Sequence, residues 1–186
     1  MTPDANQQLA GILLVLAALA FAAGATLLVF PAQVRAGLQA FPRSKWPGWA
    51  LTAAGLFWVA WVVQHAALGR FEGLKPLVPY AGILVFAAMV WLMDELLAPR
   101  ALGGVLLLLA NPVLNAVRWA DSAWRFVPAV IAYAWVIAGC AFMLYPWLFR
   151  RWSARFVERP EWLRRAGWGK LLAGAVLAAA GWVCLR

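Results

Sequence analysis

The stretch Gly24-Ala25-Thr26-Leu27-Leu28-Val29-Phe30-Pro31-Ala32-Gln33-Val34-Arg35 returns in altered form as Gly139-Cys140-Ala141-Phe142-Met143-Leu144-Tyr145-Pro146-Trp147-Leu148-Phe149-Arg150. Each copy starts in an apolar run and ends in a basic connector. Beyond the connector comes Gly-Trp (Gly48-Trp49, Gly167-Trp168) and then Ala-Gly (Ala54-Gly55, Ala173-Gly174). Glycine to proline, proline to arginine, and Gly-Trp to Ala-Gly are spaced alike in both copies. Only the connector differs, by about one helical turn. Proline lacks the amide that a helix interior needs, so it ends or kinks a helix. Each copy therefore reads as a spanning helix, a break near the membrane surface, a basic connector and a second spanning helix. This repeat sets topology and assigns no reaction.

Composition gives the class. Of 186 residues, 66% are hydrophobic, and the mean hydropathy is +0.79, well above a soluble protein of about half apolar residues. Six apolar runs stand out, at 9–30, 49–68, 80–98, 101–117, 127–149 and 167–185. Most reach the roughly 20 residues a spanning helix requires, and the fourth is at the short end of the range. They are Leu- and Ala-rich without two-residue alternation, which predicts helices rather than barrel strands. The leader before the first run holds Asp4 and no Lys or Arg, unlike the positive start of a signal peptide, so this run is expected to be retained. Cys140 and Cys184 fall in different runs and are read as small buried hydrophobes, with no disulfide framework and no CxxC site.

The net charge of +9 lies in loops beside spans, where the positive-inside rule accounts for it without nucleic acid. One set of loops carries Arg35, Arg43, Lys45, Arg100, Arg150, Arg151, Arg155, Arg159, Arg164, Arg165 and Lys170; the other carries Arg70, Lys75, Arg118, Arg125 and Arg186. The bias predicts cytoplasmic odd loops and both termini outside. Parity agrees: with six crossings the two basic connectors share a side, and with five they would not. Trp46, Trp49, Trp119, Trp124, Trp147, Trp152, Trp162, Trp168 and Trp182 sit near span ends, as an interfacial belt. Trp58, Trp61, Trp91 and Trp135 lie deeper and are expected to pack.

The expected fold is a single all-α transmembrane domain over 1–186, with six spanning helices. Two similarly oriented two-helix repeats, about 9–68 and 127–185, flank a central hairpin at about 80–117. The connectors are expected as short interfacial helices, with Val34, Leu38 and Phe41 at helical spacing in the first and Phe149, Trp152 and Phe156 in the second.

The last quarter of the chain carries Leu144-Tyr145-Pro146, Arg150-Arg151, Arg159-Pro160-Glu161-Trp162-Leu163-Arg164-Arg165-Ala166-Gly167 and Ala173-Gly174. It resembles the YjeT-like family of small bacterial inner-membrane proteins, which have two helices, a Tyr-Pro exit from the first, a basic connector, a Pro-x-x-Leu-Arg-Arg-x-Gly start to the second, and an Ala-Gly within it. The N-terminal copy departs from that pattern at Phe41-Pro42-Arg43-Ser44-Lys45, and the central hairpin has no counterpart. The resemblance implies an inner-membrane location and a two-helix unit; it brings no catalytic residues.

Few residues carry chemistry. The single histidine, His65, excludes a bis-His haem and a His-rich metal site within one chain. Asp94 and Glu95 are adjacent and project about 100° apart on a helix, so they do not converge as an acid and base pair. No Gly-x-Ser-x-Gly, Walker or dinucleotide motif is present. No cofactor is expected. Two polar groupings remain. Gln64 and His65 in the second span and Asn111, Asn115 and Arg118 in the fourth are expected at similar depth, as a polar pocket or as hydrogen-bonding glue between helices. Asp94, Glu95 and Arg100, with Arg35 and Arg150 at the exits of the flanking helices, are expected as a cytoplasmic ion-pair cluster, or else as a proton or ion site. Arg43, Lys45, Arg151, Arg155, Arg164 and Arg165 are candidates to hold anionic lipid headgroups.

Ala17 with Gly24, Gly103 with Gly104, and Gly174 with Ala178 offer small-residue packing surfaces, for a helix of this chain, a second copy or a partner membrane protein. The leading reading is a non-catalytic membrane subunit, scaffold or assembly factor with lipid contacts at its basic cytoplasmic loops. The alternatives are a small transporter or channel using the pocket between spans two and four, which repeats make plausible, and a lipid-active membrane enzyme.

Overall fold

A computed structural model describes residues 3–92 and 96–185 of the chain. Among these described residues the fold is all-α, with eight helices: α1 (Pro3–Val29), α2 (Pro31–Ala40), α3 (Lys45–His65), α4 (Val78–Leu92), α5 (Leu97–Arg118), α6 (Phe126–Leu144), α7 (Trp147–Glu158) and α8 (Pro160–Leu185). Three 3-10 segments link them, at Phe41–Arg43, Gly69–Leu77 and Ala123–Arg125. Six helical segments are long and apolar enough to cross a membrane, the third and fifth including their leading 3-10 turns.

The two quoted stretches form the same break. Phe30 (φ −122°, ψ 49°) closes α1 and Tyr145 (φ −128°, ψ 70°) closes α6. Each residue donates its amide to the carbonyl four positions back, Thr26 at 3.0 Å and Ala141 at 2.8 Å, and each is followed by proline. The chain then turns into α2 or α7, the helices of the two basic connectors, which pack on each other at one end of the bundle. Boundaries depart from hydropathy where proline intervenes. Leu97 and Ala98 belong to α5 rather than to the third span, since Pro99 suits a first helical turn, where its missing amide has no partner to lose. Leu96, in the left-handed region at φ 59°, separates them from α4. Phe149 lies in α7 beyond the Tyr145-Pro146 break. The final helix starts at Pro160, well before Gly167, with Glu161 favourably placed in its first turn.

Packing joins distant parts of the chain. The most extensive pairing is α1 along α8, followed by α5 with α6 and α3 with α5. Leu9, Leu13, Leu16 and Ala17 of α1 are buried against Leu177 and Ala180 of α8, with Val117 and Ala120 closing the cluster. In lipid such pairing draws on close van der Waals fit rather than on hydrophobic burial. The glycines show how close the approach is. A methyl group at Gly24 would stand 3.0 Å from the Gly167 carbonyl oxygen. One at Gly103 would stand 2.7 Å from the Gly139 oxygen, and one at Gly139 would stand 2.8 Å from the Gly103 oxygen. Of the adjacent pair Gly103 and Gly104, only Gly103 faces a neighbour.

The two repeat units are thus cross-linked. The first helix of one (α1) pairs with the second of the other (α8). The reciprocal helices, α3 and α6, both pack on α5, at Gly48 beside the Ala98 amide and at Gly139 beside Gly103. Helix α4 packs against α3, leaving its outer face bare. Trp91 is 88% exposed and Trp61 58%, so these two are not the packing residues that depth alone predicted.

Candidate functional site

The polar residues singled out from sequence fall into separate environments. Gln64, half-buried at the end of α3, donates to the Lys75 carbonyl at 2.8 Å and so ties α3 to the 3-10 segment before α4. His65 Nδ1 lies 2.8 Å from the Trp61 carbonyl, with the two rings 4.4 Å apart. Asn111, Asn115 and Arg118 form an exposed strip on α5: Asn115 donates to Asn111 at 3.5 Å, a long contact, and Arg118 lies over Trp119 at 5.4 Å. No hydrogen bond joins Gln64 or His65 to this strip. Gln64 instead borders an apolar groove of about 440 Å³ between α3 and α4, walled by Phe57, Trp61, Ile83 and Phe86.

In the expected ion-pair cluster, Asp94 and Glu95 lie outside the described residues. Arg100 stands in the first turn of α5, its Nε buried without a hydrogen-bond partner among the described residues. Arg35 is half-buried on α2 and Arg150 exposed on α7. Thr52, 4% exposed on α3, carries a hydroxyl that is likewise unpartnered, a feature that sequence did not flag. Lys75 forms an ion pair with Glu72 at 2.7 Å, one turn apart in the Gly69–Leu77 segment.

The basic connectors bring charge, apolar surface and open volume together. Phe149, 5% exposed, is the pivot. Its ring meets Phe41 at 5.2 Å, Phe142 at 5.4 Å and Trp152 at 6.2 Å, and Trp152 meets Phe156 at 4.8 Å. The helical spacing of Phe149, Trp152 and Phe156 makes this ladder legible in sequence; the reach of Phe41 across from the other connector is not. Ser153, on the buried side, donates to the Arg150 carbonyl at 3.1 Å. With Phe149 and Ser153 turned inward, the arginines of α7 are left on the exposed side, beside Trp147 and Trp152.

No family model, curated protein or solved structure matches this chain. Function must be read from the geometry.

Three grooves flank α7. One of about 660 Å³ lies against α2 and the Phe41–Arg43 turn, where Arg43, Arg150 and Arg151 gather beside Pro42 and Trp147. One of about 780 Å³ lies between α7 and α6. The third, about 410 Å³, is bounded by Trp152, Arg155, Phe156, Arg159 and Trp162. Lys45, Arg164 and Arg165 are exposed nearby in sequence, at the starts of α3 and α8. Guanidinium groups beside indoles, at the point where apolar helices end, suit phosphate headgroups at a membrane surface.

Proposed function

We propose that this chain is a non-catalytic bacterial inner-membrane protein, a subunit or scaffold of a membrane complex, with its basic connectors toward the cytoplasm and both termini outside. In this reading the connectors hold anionic phospholipid while the bare helix faces meet lipid or a partner. The observation that carries it is the packing of α2 on α7, which gathers Arg43, Arg150 and Arg151 around one groove at one end of an otherwise apolar bundle. A duplicated two-helix unit akin to the YjeT-like proteins is the proposed origin of the fold, supported by the matched breaks at Phe30 and Tyr145.

Purification from native membranes in a mild detergent, followed by mass spectrometry, tests the role. A stoichiometric membrane-protein partner is expected. A solitary protein that carries a bound small metabolite would overturn the subunit reading in favour of transport or catalysis.

A further inference from the structure

The groove between α6 and α7 differs from the other two in having one wall that reaches into the apolar layer. Trp135, Ala138 and Phe142 lie three and four residues apart on α6, so they form one stripe running about 10 Å along that helix. The facing wall belongs to α7, where Arg151 and Arg155 stand one turn apart on either side of Trp152. Among the described residues, no acidic side chain lines this groove. Glu158 borders the two neighbouring grooves instead.

We infer that this elbow is a built site for one anionic glycerophospholipid. Its phosphate sits between Arg151 and Arg155, and one acyl chain lies along Trp135, Ala138 and Phe142. The inference rests on the lipid-holding reading above and narrows it to one headgroup charge and one position. Two guanidinium groups can each give a phosphate a forked pair of hydrogen bonds. A zwitterionic lipid would bring an ammonium group into a cavity that offers it no carboxylate, and this selects net negative charge. The open volume of about 780 Å³ matches the size range of lipid and ligand sites.

The test uses the full-length protein in nanodiscs of phosphatidylcholine with a minor fraction of phosphatidylglycerol, released into native mass spectrometry. The wild type is expected to retain one phosphatidylglycerol in preference to phosphatidylcholine. Replacing both arginines (Arg151→Gln with Arg155→Gln) should lower that preference by about tenfold or more, since each charged hydrogen-bonding partner contributes on the order of a factor of ten. Arg70→Gln, in the exposed Gly69–Leu77 segment away from the connectors, should leave it unchanged, and Arg164→Gln with Arg165→Gln, outside the groove, should lower it less than the groove pair does.

Ala138→Phe fills the apolar wall and leaves both arginines intact, so it should lower retention of either lipid without changing the headgroup preference among what remains. It also keeps the test decisive should the double-arginine variant fail to fold. Unchanged retention in Ala138→Phe, or a preference that follows Arg164 and Arg165 at least as strongly as the groove pair, would overturn the site. The same spectra report any protein partner. Loss of the lipid signature with the partner still bound would count against this site alone, and a retained lipid without a partner would count against the subunit role alone.

Discussion

Gly103 and Gly139 meet backbone to backbone, with no room for a methyl group on either side. Gly103→Ala or Gly139→Ala should therefore force α5 and α6 apart and destabilise the bundle by about 1–3 kcal/mol, seen as a lower midpoint of thermal unfolding in detergent. Gly104, one residue away, faces open space. Gly104→Ala should be neutral or slightly stabilising, because alanine is the better helix former by up to about 1 kcal/mol. Equal effects at the two positions would show that the close approach is not what holds these helices. The buried hydroxyl of Thr52 gives a prediction of opposite sign. It has no hydrogen-bond partner among the described residues, so the isosteric Thr52→Val should hold stability or raise it by about 1 kcal/mol in the same assay. Arg100 has a buried Nε without a hydrogen-bond partner among the described residues, and the ion pair expected from sequence, with Asp94 or Glu95, stands as a proposal. Neutralising Arg100 and Glu95 together should then cost less folded yield than the two single changes added, and strict additivity would remove Glu95 as the partner.

At the scale of elements, the proline breaks were the legible part. Phe30-Pro31 and Tyr145-Pro146 announce the ends of α1 and α6, and the spacing of Phe149, Trp152 and Phe156 announces an amphipathic connector. Hydropathy was a poorer guide to where helices begin. Leu97 and Ala98 are as apolar as the span before them, and only the Pro99 that follows assigns them to α5. The polar pocket failed to be legible for a related reason. Equal depth in the membrane does not fix which way a side chain points around its helix, and Gln64 turns toward Lys75 while Asn111 and Asn115 turn outward. Docking of the two connectors depends on a ring that hydropathy counts as part of a span. Phe149→Ala removes the buried hub touched by Phe41, Phe142 and Trp152, and a buried aromatic truncated to alanine costs about 3–5 kcal/mol. Protease should then cut within 31–43 and 147–158 of the nanodisc-embedded variant faster than in the wild type. Equal protection would place the hub elsewhere.

For the whole molecule, the six-span count and the shared side of the two connectors fit one another, because α2 can pack on α7 only if an even number of crossings separates them. The orientation in the cell is a proposal that charge bias supports. With Cys140 and Cys184 replaced by alanine, an impermeant maleimide should label Asp121→Cys in intact cells and should reach Gly37→Cys only after permeabilisation. The reverse pattern would invert the topology without altering the fold. What no local pattern in the sequence could supply is the choice of partners. The repeat predicted two similarly oriented two-helix units flanking a central hairpin and left their helix partners open; the structure pairs α1 with α8 and places α5 between α3 and α6. That choice depends on shape fit between glycines and leucines far apart in the chain, which neither periodicity nor composition encodes.

The pairing of α1 with α8 also bears on how the protein is made. Helices leave the ribosome in order, so α1 enters the bilayer first and its main neighbour arrives after every other span has been inserted. Until then Leu9, Leu13 and Leu16 lack Leu177 and Ala180, and have at most the smaller contact that Val117 and Ala120 provide. A span that must wait in this way has to be stable alone, and α1 is the most apolar of the six. The segments between need no such independence, since α5 finds α3 already in place and then receives α6. Synthesis stalled before α8 should yield an inserted but open intermediate, its first helix without its main partner and within reach of membrane-embedded quality control.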